Sequence, residues 1–337
     1  MVLAEDGTIA IRSLIDRTAL PWNNRLMPDS RQPRPNPLSN PDFDRAAYRR
    51  LDAAWLETAR GAASSRVVPV WQSKPLMAGG GLERRALLFP AREFDWSLAI
   101  DSAFLGISDG AAHFAADISR LDPEELRHRF GVEAAAEDMR MIGQLLLADE
   151  AALLAYAKGL LWWHERHRFC GVCGQPTEST DGGHRRLCTN ASCKAEQFPR
   201  SDPAVIVLVE HGERCLLARG SRFPPGFHSV LAGFVEPGES LEDTVAREVF
   251  EECGIRVTDI AYGSSQPWPF PSSLMLGFRA RALNEDFALD PNEILEAGWY
   301  TRDWVRALDP NGPFKIPPGF SISRRLIDDW IAEGEPD

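Results

Sequence analysis

A chain of 337 residues, 44% hydrophobic and 26% charged, can bury a substantial core and points to two or three folded units rather than one. Its formal net charge of -12 repels phosphate backbones, which disfavours generic DNA or RNA binding unless a local basic patch or a bound cation intervenes, and it suits divalent metal ions instead. The stretch 1–20 carries Glu5, Asp6 and Asp16 and lacks the basic start and apolar centre of a secretory signal, and no apolar run reaches membrane-spanning length, so a cytoplasmic protein is expected.

In chain order, residues 28–41 are rich in Pro and Asn and read as a loop. Segments 86–89, 104–107 and 113–118 read as strands, the last two joined by a Ser108-Asp109-Gly110 hairpin turn, and together they predict a small β-rich domain. From 133 to 167, Met139, Ile142, Leu146, Leu153, Tyr156 and Leu160 recur at helical spacing, which predicts one long helix ending at Trp162 and Trp163. Those tryptophans, with His164 and His167, are read as the helix end packing on the segment that follows. Beyond that segment, apolar runs at 204–209 and 215–218 flank the turn-prone Glu210-His211-Gly212-Glu213 and predict a buried hairpin. A strand at 230–235, a helix at 240–253, a strand at 274–281 and a final helix at 323–331 complete a mixed α/β sandwich.

Between the long helix and the sandwich lie Cys170-Gly-Val-Cys173 and Cys188-Thr-Asn-Ala-Ser-Cys193, fourteen residues apart. Two close pairs at this spacing let two tight turns present four thiolates to one tetrahedral zinc. An all-thiolate shell leaves no open position, so the metal holds the segment folded and does no chemistry. Zinc ribbons also occur in nucleic-acid binders, and that reading stays open here.

The segment 233–255 is the most informative. Ser240 and Asp243 form a capping box and Gly254 sits where a helix ends in a left-handed residue, which predicts a helix over 241–253. Helical geometry then puts Glu248, Glu251 and Glu252 on one arc about 100° wide, while Leu241, Val245, Val249, Phe250 and Cys253 lie on the flanking, core-facing arc. Glutamates at this spacing repel one another, and only Arg247 is near enough in sequence to offset them. Hard oxygen ligands on a rigid helix are what magnesium or manganese requires.

This segment resembles the Nudix box, Gly-x5-Glu-x7-Arg-Glu-U-x-Glu-Glu-x-Gly-U with U apolar, at every fixed position from Gly233 to Ile255. Further on, Ser265-Gln-Pro-Trp-Pro-Phe-Pro-Ser-Ser273 is similar to the hallmark loop of the NADH pyrophosphatase (NudC-like) family of Nudix hydrolases. That family also carries a four-cysteine ribbon ahead of its Nudix domain and a separate N-terminal domain. The resemblance therefore implies an α+β chain made of a small N-terminal β-rich domain with helices (1–166), a zinc ribbon (167–198) and a C-terminal Nudix α/β/α sandwich (199–337).

It also implies roles. Glu248 and Glu252 would be the principal magnesium or manganese ligands, Glu251 a further ligand or the base, and Arg247 the group orienting the carboxylates. The loop ending at Glu239 would shape the phosphate site. Glu293 and the Ala232 carbonyl would complete the metal shell. Gln266, Pro267, Trp268, Pro269, Phe270, Pro271, Ser272 and Ser273 would contact a dinucleotide, Phe198 and Phe234 would stack on its bases, and Ser323 would touch it through the main chain. The implied activity is metal-dependent hydrolysis of NADH or NAD to nicotinamide mononucleotide and AMP, with removal of NAD caps from RNA as a related reaction, in a homodimer carrying one structural zinc per chain. A Nudix enzyme preferring ADP-ribose or dinucleoside polyphosphates is the runner-up, and a zinc-ribbon nucleic-acid binding module is the alternative from another class.

Overall fold

Alternating burial on continuous apolar strands organises the N-terminal region. The computed structural model describes residues 35–333 apart from 41, 81, 82 and 132; of the loop expected at 28–41, residues 35–40 are described and hold no helix or strand, and the rest lies outside the described residues. The N-terminal strands are β1 (Arg66–Trp71), β2 (Lys74–Ala78), β3 (Arg85–Ala86), β4 (Phe89–Pro90), β5 (Ser102–Ser108), β6 (Ala111–Asp117) and β7 (Ala135–Ala136), in order β3-β2-β1-β6-β5 with β4 on β1 and β7 on β2. Helices α1 (Ala53–Gly61), α2 (Pro123–Phe130), α3 (Met139–Ile142) and α4 (Ala148–Arg166) surround them. Val67, Phe104 and Phe114 face a core shared with Trp55 of α1 and Leu126 of α2. Val68, Val70, Leu105 and Ala115 face the other way, onto Leu154, Leu161 and Trp163 of α4. Both faces are covered, which is why these strands read as unbroken apolar runs.

The strands expected at 104–107 and 113–118 are β5 and β6, turning through Asp109 (φ 50°) and Gly110 (φ 75°). The strand expected at 86–89 divides into β3 and β4, which pair with different neighbours. The helix expected over 133–167 is a correction: it begins only at Ala148. Before it, Ala135–Ala136 joins β2, Asp138 caps the short α3, and Leu146 and Leu147 are extended. Met139 and Ile142 nevertheless bury in the same core as α4, so the apolar spacing runs across a break that Asp138 and Gly143 create.

The ribbon is a three-stranded antiparallel sheet of β8 (Thr177–Thr180), β9 (Arg185–Cys188) and β10 (Glu196–Gln197). The C-terminal sheet comprises β11 (Asp202–His211), β12 (Arg214–Gly220), β13 (Leu231–Phe234), β14 (Val257–Trp268), β15 (Ser273–Ala282) and β16 (Ile294–Thr301), in order β14-β15-β11-β12-β16 with β13 beside β11. Its helices are α5 (Leu241–Cys253), α6 (Arg302–Arg306) and α7 (Ile322–Ala332). Val205, Val207 and Val209 of β11 pack on Val245, Val249 and Cys253 of α5, while Ile206 and Leu208 pack on Ile327 and Trp330 of α7. One helix on each face makes the α/β/α sandwich. β14 and β16 carry no clear periodicity and were not expected; β14 is mostly half-buried, shifts register twice and contains Asp259 at φ 53°.

Candidate active site

The helix α5 has the expected ends: Ser240 and Asp243 bond reciprocally, and Gly254 adopts φ 71°. This fixes which residues of α5 face β13. Gly233 on β13 pairs with Val205, and a Cβ on it would fall 1.8 Å from the Glu248 carboxyl carbon, so glycine is what leaves the carboxylate room. Glu248 and Glu252, one helical turn apart, meet Glu293, which precedes β16; the three offer carboxylate oxygens all within 4.8 Å of one another. Glu293 is delivered by a turn whose Asp290 N–H donates to the Glu252 carbonyl (3.1 Å).

Positive charge reaches this cluster at Glu248, through Arg247. Glu252 is buried and its Oε2 has no hydrogen-bond partner. Burial first, then the charges of Glu248 and Glu293, push its carboxyl up to about 8, and burial likewise raises Glu248. An orphaned carboxylate oxygen facing two further carboxylates fits a divalent cation of the hard, oxygen-binding kind. Arg247 lies to the outside. Its guanidinium donates to Glu239 (2.5 and 2.9 Å), Glu248 (2.9 Å), Glu251 (3.0 Å) and the Phe234 carbonyl (3.0 Å). Chiefly through that contact, Glu239 is held down to about 2. Glu251 stands apart from the three-carboxylate cluster, exposed and turned to Arg247, so the arc of three glutamates is divided between two environments. Ala232 and Phe234 flank Gly233 on β13, and both are exposed.

Some distance along the sheet, Phe198, Pro267, Trp268, Pro269, Ser272 and Ser273 line a cavity of about 580 Å³ bounded also by α4 and the ribbon. The remaining residues of the proline-rich loop have other partners. Gln266 is fully buried: its Nε2 donates to the Phe320 (2.8 Å) and Pro37 (3.0 Å) carbonyls, and its Oε1 accepts the Ile322 N–H (2.7 Å). Phe270 packs into the N-terminal core, its ring 5.2 Å from the Arg140 guanidinium and 5.6 Å from the Lys158 ammonium, ahead of a cis bond to Pro271. Ser272 donates to Asp202 (2.7 Å), and Ser323 is buried against Ser229 (2.8 Å). Phe234 is not part of this cavity's lining.

In the ribbon, the Cys170–Cys193 and Cys173–Cys188 sulfurs lie 3.9 and 3.4 Å apart, and all four fall within 4.8 Å. A tetrahedral site with Zn–S near 2.3 Å needs sulfur separations of about 3.8 Å, so the thiols fit a structural zinc. The ribbon is moored to the N-terminal region by Arg186, which bonds Asp101 (2.7 Å), His164 Nδ1 (2.7 Å) and Thr177 (2.8 Å). His164 Nε2 donates to the Gly183 carbonyl (2.9 Å), and burial pushes the imidazole down to about 4. Sequence reasoning had His164 as packing only and missed Arg186, Arg140 and Lys158; a charge inside an apolar segment was the sole signal for Arg140 and Lys158.

A glycine-led loop entering a helix that turns two glutamates under a mixed sheet, with a third carboxylate opposite, defines a Nudix hydrolase domain. Family models agree along the chain: the NUDIX domain matches residues 200–318, the NADH pyrophosphatase zinc ribbon domain 165–198, and the NADH pyrophosphatase-like rudimentary NUDIX domain 64–163. The NAD-capped RNA hydrolase NudC of Mycobacterium tuberculosis (strain ATCC 25177 / H37Ra) is 39% identical over 310 residues, 88% of this chain and 94% of that protein. The NAD-capped RNA hydrolase NUDT12 of Homo sapiens is 45% identical over 197 residues, 55% of this chain and 43% of that protein, so the match spans less than half of that relative. Among solved structures, a Nudix hydrolase from Nitrosomonas europaea is similar over 50% of this chain and 94% of its own, at 25% identity and a TM-score of 0.38. The chain belongs to the NADH pyrophosphatase family of Nudix hydrolases.

Proposed function

We propose that the chain hydrolyses the diphosphate bond of NADH or NAD, releasing nicotinamide mononucleotide and AMP, and that the same cut removes NAD caps from RNA. The observation carrying this reading is the Glu248-Glu252-Glu293 cluster, with Glu252 buried at its centre, set along one sheet from an aromatic cavity edged by the 267–273 loop. Its relatives over most of the chain are NAD-capped RNA hydrolases. In this reading the three carboxylates and the Ala232 carbonyl hold magnesium or manganese. Such a cation, when bound, neutralises the diphosphate and lowers the pKa of a coordinated water.

The chain's own residues do the rest. Arg247 fixes the Glu248 carboxylate and ties the Glu239 loop to α5, which keeps the ligand geometry from drifting. Glu251, outside the cluster and exposed, takes the proton of the attacking water on its carboxylate oxygen or adds a further ligand. Phe198, Phe234, Trp268 and the loop prolines supply faces for the bases. Gln266, Phe270, Pro271 and Ser272 act by setting the loop's position, and Ser323 offers its backbone. The four cysteines hold one zinc, which keeps the ribbon folded. The units run 1–166, 167–198 and 199–337, and the chain works as a cytoplasmic homodimer; no helix among the described residues is long and apolar enough to cross a membrane.

The test is a turnover assay of the purified, zinc-loaded protein with magnesium or manganese on NADH, NAD, ADP-ribose and a dinucleoside polyphosphate, products resolved by ion exchange, with Glu252→Gln as control. AMP and reduced nicotinamide mononucleotide, lost in the variant, is the expected result. Preference for ADP-ribose or a dinucleoside polyphosphate, or no cleavage at all, would overturn the assignment.

A further inference from the structure

The aromatic cavity carries a charge that the chain as a whole opposes. Arg45 lies with its guanidinium 4.0 Å from the centre of the Tyr156 ring, and Arg50 borders the same space with a buried Nε that has no hydrogen-bond partner. Among the described residues neither forms an ion pair, and no carboxylate lines the cavity, although the net charge is -12. Arg200, on the rim, is in contrast neutralised by Asp202. His184, on the same cavity lining, bonds the Phe104 carbonyl (2.7 Å) and is pushed down to about 4 by burial, so it is uncharged near neutral pH. The positive charge of the cavity therefore rests on two guanidiniums, next to the exposed ring of Phe198 and to Trp268. Two unpaired guanidiniums on one concave surface repel each other and attract an anion.

The anion is not the scissile diphosphate. Leu274 on the cavity wall pairs with Pro203 on β11; two residues on, Val205 pairs with Gly233, which lies against Glu248. Two strand spacings and two residue rises put this wall roughly 12 Å from the carboxylates. NADH carries only the two phosphates of the bond being cut, and these belong at the carboxylate cluster. A phosphate on Arg45 and Arg50 has to come from farther along a longer substrate.

We propose that Arg45 and Arg50 form a phosphate subsite for the RNA chain that follows an NAD cap, beside the aromatic wall that receives the cap's base. The proposal deepens the reading above and rests on it for the identity of the cap. Its chemistry, a nucleotide phosphate on two guanidiniums beside aromatic faces, is testable without turnover.

The experiment uses the full, zinc-loaded chain. Fluorescence anisotropy of a short 3′-labelled, 5′-monophosphorylated RNA is measured for wild type, Arg45→Glu/Arg50→Glu and Arg45→Lys/Arg50→Lys across a salt series. The charge reversal should weaken binding at least about tenfold and lower the slope of log affinity against log salt by about 0.7, one single-strand phosphate contact. The lysine pair should retain most of the binding, which separates loss of charge from loss of fold. In parallel, the ratio of kcat/KM for an NAD-capped oligonucleotide to that for NADH should fall about tenfold in the charge reversal, since 1.4 kcal/mol corresponds to that factor. An unchanged affinity and slope, or an unchanged ratio, overturns the proposal. Displacement of the RNA by AMP at concentrations near the RNA's own Kd would instead assign the site to a free mononucleotide. Failure of wild type to cut any dinucleotide would defeat the functional reading, while the anisotropy would still judge the phosphate subsite.

Discussion

Replacing Gly233 by Ala adds one methyl group where a carboxylate already sits. The new Cβ would meet the Glu248 carboxyl carbon at 1.8 Å and its oxygens at 2.1 and 2.3 Å. Gly233 is not in the left-handed region, so the backbone accepts alanine and the Glu248 side chain must yield. Restoring van der Waals contact moves that carboxyl by more than 1 Å, and misplacement of about 1 Å near reacting groups costs about 100-fold in rate. That corresponds to about 2.7 kcal/mol of barrier. The assay is steady-state NADH hydrolysis over a manganese titration, with thermal unfolding alongside. The expected result is a fall in kcat of about two orders of magnitude and a weaker metal requirement curve, with a melting temperature within a few degrees of wild type. A variant retaining kcat within threefold at the same manganese midpoint would refute the argument that this glycine exists to seat Glu248.

Arg247→Lys keeps the charge but cannot span Glu239, Glu248, Glu251 and the Phe234 carbonyl at once, so kcat should fall roughly 10- to 100-fold, with little rescue relative to Arg247→Met; full activity in the lysine variant would count against a geometric role. His164 is held near 4 against 6.5 in the unfolded chain, so between those values the unfolded chain takes up a proton that the native one refuses. Stability should be whole above about pH 6.5 and decline by about 3 kcal/mol as pH falls toward 4. His184, also held near 4, adds a similar loss over the same window, so in urea unfolding at stepped pH His164→Gln should remove about half of the decline, and an unaltered slope would show that other groups set it. Removing zinc with a thiol-reactive reagent should release one ion per chain by a colorimetric chelator and melt the ribbon, exposing it to limited proteolysis near 170–193; resistance to the protease after release would contradict a structural zinc.

How much of this was legible depends on range. The helix α5 could be read residue by residue because its caps, its apolar stripe and its terminating glycine are all local. The same logic failed at 133–147, where Asp138 starts a separate turn and Ala135 and Ala136 are taken by β2, a partner nearly sixty residues upstream. β14 was missed because a half-buried edge strand with two register shifts has no period to detect. In the site, Glu248 and Glu252 followed from helical geometry and Glu293 from the family resemblance, but only the fold sets Glu251 apart. Gln266 shows the opposite case: its place in the family's loop suggested contact with substrate, whereas its amide is used up by three backbone groups from the 37 and 320–322 segments. The Arg186–His164–Asp101 joint and the Arg45–Arg50 pair lie beyond sequence reasoning because each joins segments far apart in the chain.

The anchoring of Phe270 in the N-terminal core has a bearing on modularity. The Nudix sandwich closes its own two cores, yet the ring at the tip of its proline-rich loop is lodged in the neighbouring region, with Arg140 and Lys158 as its walls. The carboxylate cluster and the proline-rich loop thus depend on different parts of the chain. A graft of residues 199–337 onto another scaffold would carry the hydrolytic carboxylates intact but leave the loop without its socket, so the transplanted enzyme would cut diphosphates with its discrimination relaxed. Recombination among such proteins would preserve selectivity only when both halves travel together.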